Sequence, residues 1–258
     1  KTPSFGKSFI CLDDDINSQI IKKLKNKNFY TYGVNPKSNF LIRNVKQTIK
    51  YSGFDLLINL PNKKKSIIKK LRIPLLGIHN IRNSVAATAV ALTVGISPAD
   101  IKKGLSNFKG VERRFNKIFT HNKIDFFDDY AHHPTEIKEV LDGVKKVYGG
   151  YDKVCIFQPH RISRLKDLRK DFSFSFKNAD TVVLCPIYSA GEKIKLGFNY
   201  IKFAKEIIKN SKVKLFMVDD NFQLAKFIKK NMHGKKIVIG MGAGTISNWM
   251  RTLPDLIR

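Results

Sequence analysis

From residue 124 onward the chain alternates short apolar runs with longer amphipathic stretches. Apolar runs at 124–127, 153–157, 181–184, 213–218 and 236–239 predict strands, and residues 134–147, 163–176, 200–209, 221–230 and 245–251 predict helices. The runs Val154-Cys155-Ile156-Phe157 and Ile237-Val238-Ile239 are continuous, as in parallel strands covered on both faces. This alternation predicts an α/β fold, a Rossmann-like doubly wound sheet over residues 110–258. Residues 1–109 read as a separate domain: a strand at 8–12, a helix at 17–25, and β-like runs at 29–33, 40–43 and 54–60. An Ala-rich helix over 84–94 ends at Gly95, and a short helix opens after Ser97-Pro98 with Ser97 as its N-cap. Internal repeats and low-complexity linkers are absent from the sequence.

Composition narrows the class. Of 258 residues, 43% are hydrophobic and 27% charged, ordinary for a globular protein. No apolar run approaches the ~20 residues a membrane span needs, and residues 1–12 do not form a secretory signal. Cys11, Cys155 and Cys185 are far apart and lie in apolar runs. They are expected to be buried reduced thiols, which suits the cytoplasm. The net charge of +27 raises the question of nucleic acid. The charge is mostly Lys, comes with abundant Asn and Ile, and is spread along the whole chain without interleaved aromatics. That pattern fits a solvated lysine-rich surface, so neither nucleic acid nor membrane is expected as a partner.

The densest chemistry is Asp128-Asp129-Tyr130-Ala131-His132-His133-Pro134-Thr135-Glu136, where a strand meets a helix opened by Pro-Thr-Glu. Open α/β sheets bind ligands at such strand ends. Adjacent histidines rarely aim at one point and no HExxH spacing occurs, so no metal site is assigned here. One of the two aspartates can serve the fold. Gln158-Pro159-His160-Arg161-Ile162-Ser163-Arg164 also follows a strand, and three cationic or imidazole groups at a helix entrance suit a carboxylate or phosphate. Gly110-Val111-Glu112-Arg113-Arg114-Phe115 reads either as a phosphate clamp or as an exposed basic turn. In Gly77-Ile78-His79-Asn80-Ile81-Arg82-Asn83, the two asparagines share a helix face. Their amides could match an adenine edge, or Asn80 could simply cap the helix. Gly240-Met241-Gly242-Ala243-Gly244 resembles a dinucleotide turn, but Ser247 stands at the third glycine. A tight strand-to-helix turn is the better reading. Tyr188-Ser189-Ala190-Gly191-Glu192 is a further strand-end loop with no role legible from spacing.

Together these stretches resemble the Mur ligase family. The matching residues are Gly77, His79, Asn80 and Asn83; Gly110, Val111, Arg113, Arg114 and Phe115; the run from Asp128 to Glu136; Phe157 to Arg161; and Ala190-Gly191-Glu192. Tyr130 and the Phe-Gln-Pro-His-Arg run are similar to the branch that adds L-alanine to UDP-N-acetylmuramate. They differ from the murein tripeptide ligase, which shares His-His-Pro. Ile162 departs from the aromatic usual in the family. The resemblance implies three domains, of which residues 1–109 would be the C-terminal part of the central ATP-binding domain and 110–258 the C-terminal Rossmann-like domain. No G-x-x-x-x-G-K-[ST] run occurs and the sequence starts at Lys1. The P-loop, the main Mg2+ ligands and the N-terminal domains would then lie upstream, and this chain alone would be inactive.

The implied reaction is cytoplasmic, ATP-dependent amide formation through an acyl phosphate, in peptidoglycan precursor synthesis. Asn80 and Asn83, with His79 close by, would hold adenine. Arg114 would reach the ATP phosphates and Asp129 the ribose. Tyr130, His132, His160, Arg161 and Arg164 would line the muramoyl and alanine pocket, with Arg161 or Arg164 on the alanine carboxylate. Arg114, Asp129 and His132 are the expected catalytic set. A murein tripeptide ligase or a stand-alone nucleotide-binding module is the alternative reading.

Overall fold

A computed structural model describes residues 3, 6–24, 28–192 and 198–258. Its contacts divide the chain into two compact units, Lys1–Lys109 and Gly110–Arg258. Among the described residues no helix is long and apolar enough to cross a membrane.

The first unit is built on a five-stranded sheet of strands β1 (Ser8–Cys11), β2 (Phe29–Gly33), β3 (Phe40–Gln47), β4 (Ser52–Ile58) and β5 (Ser66–Ile73), in that order. The first three run parallel, and the last three are joined antiparallel. In β4 every second residue is buried, so Ser52, Phe54, Leu56 and Ile58 face inward. They meet Phe40, Ile42, Leu71, Ile73 and the inner face of helix α2 (Ile78–Thr93), where Ile81, Val85 and Ala89 are fully buried. Helix α1 (Asp15–Lys23) buries none of its residues, and α3 (Pro98–Asn107) starts as expected at Ser97, whose hydroxyl accepts from Asp100 N. The expected end of α1, Lys25, lies outside the described residues.

Strand β5 escapes period-two reading. Its buried residues are Ile68, Leu71 and Ile73, spaced three and then two, because the register against β4 slips and Lys70 sits at φ 58. A matching bulge in β3 puts Asn44 at φ 51. The Asp55 carboxylate fastens both, accepting from Asn44 Nδ2 (2.8 Å) and Lys70 N (2.7 Å). These two bonds hold its pKa below the ordinary value.

The second unit is a six-stranded sheet. Its strands are β6 (Asn116–His121), β7 (Ile124–Asp129), β8 (Asp152–Phe157), β9 (Thr181–Leu184), β10 (Lys214–Met217) and β11 (Lys236–Met241). The order is β10-β9-β8-β11-β7-β6, all parallel except β6, which pairs antiparallel with β7. Strand β6 went unpredicted; it joins β7 through Asn122-Lys123, both at positive φ, the geometry of a tight hairpin. Helices α4 (Pro134–Val147), α5 (Ile162–Asp167), α6 (Arg169–Phe174), α7 (Tyr200–Ser211), α8 (Asn221–Asn231) and α9 (Ile246–Leu256) complete the unit. The helix expected over 163–176 is two short ones, broken at Leu168 (φ −108, ψ 22).

The sheet is covered on both faces, as its continuous apolar strands require. On one face Phe126, Ile156, Val183 and Val238 pack against Leu224 and Ile228 of α8 and Met250 and Leu253 of α9. On the other, Phe157 meets Phe172 and Phe176, at centroid distances of 5.8 and 5.2 Å. This is the doubly wound arrangement expected from the alternation. Cys155 and Cys185 are fully buried, and burial pushes the Cys185 thiol up to about 12. Cys11 is only half-buried, against expectation, since it closes an outer strand.

Strand β11 returns last and lies between β7 and β8. The carboxyl ends of these three neighbours therefore open at one edge, the crevice where such sheets bind ligands. Truncating Phe54→Ala should leave a cavity at the centre of the first unit and cost about 3–5 kcal/mol. A lowered urea midpoint, with faster amide exchange in β3–β5, would report it.

Candidate active site

Adjacent strand residues face opposite ways, so Asp128 and Asp129 at the end of β7 serve different neighbours. Both are buried, at 2% and 3% exposure. Asp128 faces α9 and accepts from Ser247 Oγ at 2.5 Å, with Arg113 Nε at 3.8 Å. It is a structural carboxylate. Asp129 accepts from Phe115 N (2.9 Å) and Ala131 N (2.8 Å), clamping the loops on either side of it. Burial raises its pKa from 3.8 to about 6, and the two backbone bonds and Arg114 oppose the rise.

The arginine pair is divided. Arg113 and Phe115 both adopt positive φ, 60 and 53. Arg113 turns inward: its Nη2 donates to Gly242 O at 2.5 Å and its guanidinium lies 4.7 Å from the Tyr130 ring. Arg114 is exposed, its side chain free to meet an incoming anion while its N–H donates to Asn116 Oδ1 (2.8 Å). The pair is thus neither a joint clamp nor a wholly exposed turn.

The two histidines after Tyr130 diverge as well. His133 caps α4, its Nδ1 accepting from Thr135 N at 3.3 Å, and Glu136 accepts from His133 N (3.1 Å) and His132 N (3.0 Å). His132 Nδ1 lies 2.8 Å from Tyr130 O, a contact in which the ring must donate, which leaves Nε2 with its lone pair. His160 has the opposite tautomer. Its Nδ1 faces Arg164 Nη1 at 3.3 Å, and a guanidinium can only donate, so the neutral ring carries its proton on Nε2. Burial, then His132, Arg164 and Arg161, hold the His160 pKa below the ordinary value. The rings form a row. Tyr130 to His132 is 5.0 Å, His132 to His160 5.6 Å, and His160 stacks on Tyr188 at 5.6 Å.

Tyr188 and its loop are what sequence reasoning missed. Tyr188 N donates to Pro159 O (2.8 Å) and Arg161 N to Tyr188 O (2.9 Å), so the loops after β8 and β9 zip together. Glu192 accepts from Ser163 N (3.0 Å) and Ser163 Oγ (2.5 Å) at the start of α5, and these bonds hold its pKa down. Nothing in spacing links residues 29 apart. The family-like Ala190-Gly191-Glu192 was the one available signal. Arg161 is exposed at φ 72, and Arg164 is half-buried. Below them Gln158 accepts from Ile246 N (2.9 Å). Gly244 lies so close that an added Cβ would stand 2.5 Å from Gln158 Oε1 and 2.6 Å from the Tyr188 ring. The glycine run therefore reads as a tight strand-to-helix turn.

In the first unit, Gly77 (φ 92) is the N-cap of α2, so Asn80 is not the cap. Asn80 is buried and its Nδ2 donates to Leu76 O at 2.6 Å. Asn83 is exposed one turn on, and half-buried His79 packs beside Gly77. Arg82 between them donates to Asp13 (2.7 Å), which also accepts from Val34 N and Asn35 N (2.9 Å each). This half-buried pair had no sequence signal.

Two family profiles match: "Mur ligase middle domain" over residues 1–91 and "Mur ligase, glutamate ligase domain" over residues 113–244. The chain belongs to the Mur ligase family. It is 68% identical over 257 residues to the UDP-N-acetylmuramate–L-alanine ligase of Pelagibacter ubique (strain HTCC1062), covering 100% of this chain and 55% of that protein. The ligase of the same name from Sinorhizobium medicae (strain WSM419) is 37% identical, with 98% and 54% covered. Among solved structures, UDP-N-acetylmuramate-alanine ligase from Thermotoga maritima superposes with a TM-score of 0.70 at 25% identity, over 88% of this chain and 47% of that one. A murein peptide ligase from Psychrobacter arcticus shares the fold, with TM-score 0.70, 20% identity, and 99% and 52% covered. This Mur ligase chain spans about half the length of the curated relatives it matches.

The raised pKa of Asp129 has a measurable consequence. The folded state keeps a proton that the unfolded chain releases, so its contribution to stability is complete below about pH 4 and is lost as pH rises through about 6. Asp129→Asn has no such term. Its stability relative to the parent should rise by about 2–3 kcal/mol between pH 4 and pH 7; urea denaturation at both pH values checks this, and an unchanged difference would refute it.

Proposed function

We propose that the chain is part of a UDP-N-acetylmuramate–L-alanine ligase, forming the amide between the muramoyl carboxylate and L-alanine with ATP as the energy source. The observation that carries this reading is the cluster at one strand edge: His132, whose Nδ1 meets Tyr130 O, faces His160, whose Nδ1 meets Arg164, with exposed Arg161 alongside. The names of the relatives at 68% and 37% identity point the same way.

In this reading the muramoyl carboxylate becomes an acyl phosphate, and the alanine nitrogen attacks its carbonyl carbon. The carboxylate of alanine meets Arg161 or Arg164, whose planar fork fixes it by two bonds. The ammonium must lose a proton before it can attack, and His132 Nε2 is the acceptor placed for it. Its Nδ1–H stays on Tyr130 O throughout, so the ring does not rotate away. His160 donates from Nε2 toward oxygen charge developing in the tetrahedral intermediate, from which phosphate leaves. Tyr130 and Tyr188 stand at the two ends of the row. Within the second unit exposed Arg114 serves phosphate oxygens, on the segment that Asp129 clamps through Phe115 N; within the first unit Asn80, Asn83 and His79 serve an adenine. Asn80 keeps Oδ1 and one N–H for that task after bonding Leu76 O. Among the described residues no His, Cys, Asp or Glu side chains gather in a group of three or more that could hold an ion.

Kinetics of an enzyme spanning the full length of the relatives test the assignment. Arg161→Ala and Arg164→Ala should each raise KM for alanine, by about 10–100-fold for the carboxylate anchor. Arg114→Ala should damage ATP use instead. His132→Ala should lower kcat by about 10²–10⁴-fold with little change in KM for alanine. Unchanged kinetics in the arginine variants would overturn the pocket, and unchanged kcat in the histidine variant would remove the proton acceptor.

A further inference from the structure

The loop after β9 is shaped to deliver one carboxylate. Ala190 and Gly191 stand in succession at φ 51 and 84, and Glu192 N donates to Ser189 O (3.1 Å). Two left-handed residues in a row close a tight turn, from which Glu192 faces the start of α5. Its Oε1 accepts from Ser163 Oγ at 2.5 Å and its Oε2 from Ser163 N at 3.0 Å. The chain carries 48 Lys and Arg against 21 Asp and Glu, yet among the described residues Glu192 forms no ion pair. Both of its oxygens are spent on one serine. This pair of bonds is the last of three fastenings between the two loops. Tyr188 N donates to Pro159 O (2.8 Å) and Arg161 N to Tyr188 O (2.9 Å), and then Ser163 closes on Glu192. Arg161 sits between the second fastening and the third, at φ 72, a conformation an L residue keeps only where its surroundings hold it. Arg164 has a tether of its own: its Nη1 meets His160 Nδ1 and His160 O, at 3.3 Å each. The Arg161 guanidinium has none among the described residues, so its aim depends on its backbone.

We propose that Glu192 is a positioning residue: by holding Ser163 it fixes the backbone from which Arg161 meets the carboxylate of the incoming amino acid. This rests on the reading of the chain as part of an alanine-adding ligase. Glu192 touches no reacting group in that role. The sign of its effect separates the hold from a role through charge. Glu192 lies close enough to Arg161 to feel its charge. A carboxylate there opposes anion binding, so removing the charge alone would tighten alanine. Removing the hold would loosen it, because a misplaced anchor forfeits its bidentate grip.

An enzyme spanning the full length of the relatives, assayed for alanine-dependent phosphate release, tests this. Glu192→Ala should raise KM for alanine about tenfold and leave KM for ATP unchanged. Glu192→Gln keeps an acceptor for Ser163 without the charge, and should stay within about twofold of the parent. In an Arg161→Ala background, Glu192→Ala should add less than about twofold, because the group it positions is gone. An unchanged or lowered KM for alanine in Glu192→Ala would overturn the proposal. So would effects that multiply in the double variant, since Glu192 would then support the fold and not Arg161. A second readout does not depend on the ligase reading. In the 258-residue chain, amide exchange at Arg161 and Ser163 should quicken about tenfold in Glu192→Ala. Unchanged exchange would overturn the hold itself. A parent enzyme that releases no phosphate on adding alanine, with exchange quickened as expected, overturns the ligase reading and the proposal's substrate with it, while the hold stands.

Discussion

Two carboxylates, adjacent in one strand and both buried, are the constraint around which the second unit is arranged. A buried carboxylate needs donors or it must take up a proton. Asp128 and Asp129 take donors from opposite sides of the sheet, and in doing so they recruit α9, the loop after β7 and the segment before β6. Arg113 is drawn inward by the same need and ties Gly242 and Tyr130 together. Beyond this knot stand exposed Arg114 and the row of rings from Tyr130 to Tyr188. These side chains stand where they do because of the structural demand beneath them.

How much of this was legible in the sequence varies by element. The parallel strands and α4 were, because continuous apolar runs and a Pro-Thr-Glu helix start are local signals. Strand β5 was not, because a bulge at Lys70 breaks its alternation. The helix over 163–176 looked single because amphipathic spacing does not register the break at Leu168. For the site, local motifs named Asp129, Tyr130, His132, His160, Arg161 and Arg164, and the structure sets Tyr130, His132 and His160 in one row with Arg164 against His160. Asn80 looked like a possible cap, yet Gly77 takes that place. The contribution of Tyr188 and Glu192 was invisible, because it depends on contacts across 28 and 29 residues that no spacing rule encodes.

The first unit shows the same logic on a smaller scale. Asp13 collects Arg82 and two backbone N–H groups, and Asp55 collects two bulges. In each case one carboxylate organises a turn that apolar packing alone leaves undetermined. The family match across both units, over residues 1–91 and 113–244, covers these anchors as well as the reactive row.

Arg161 stands at φ 72, a region in which an L side chain crowds its own backbone at a cost of roughly 1–2 kcal/mol. Its peptide is held there by the bond to Tyr188 O. Glycine would relieve that crowding and erase the guanidinium in one step. Thermostability screening on this scaffold, with no readout of turnover, would therefore tend to enrich a better-folded protein that has lost this guanidinium. The position marks a place where conformational comfort and chemical competence pull in opposite directions.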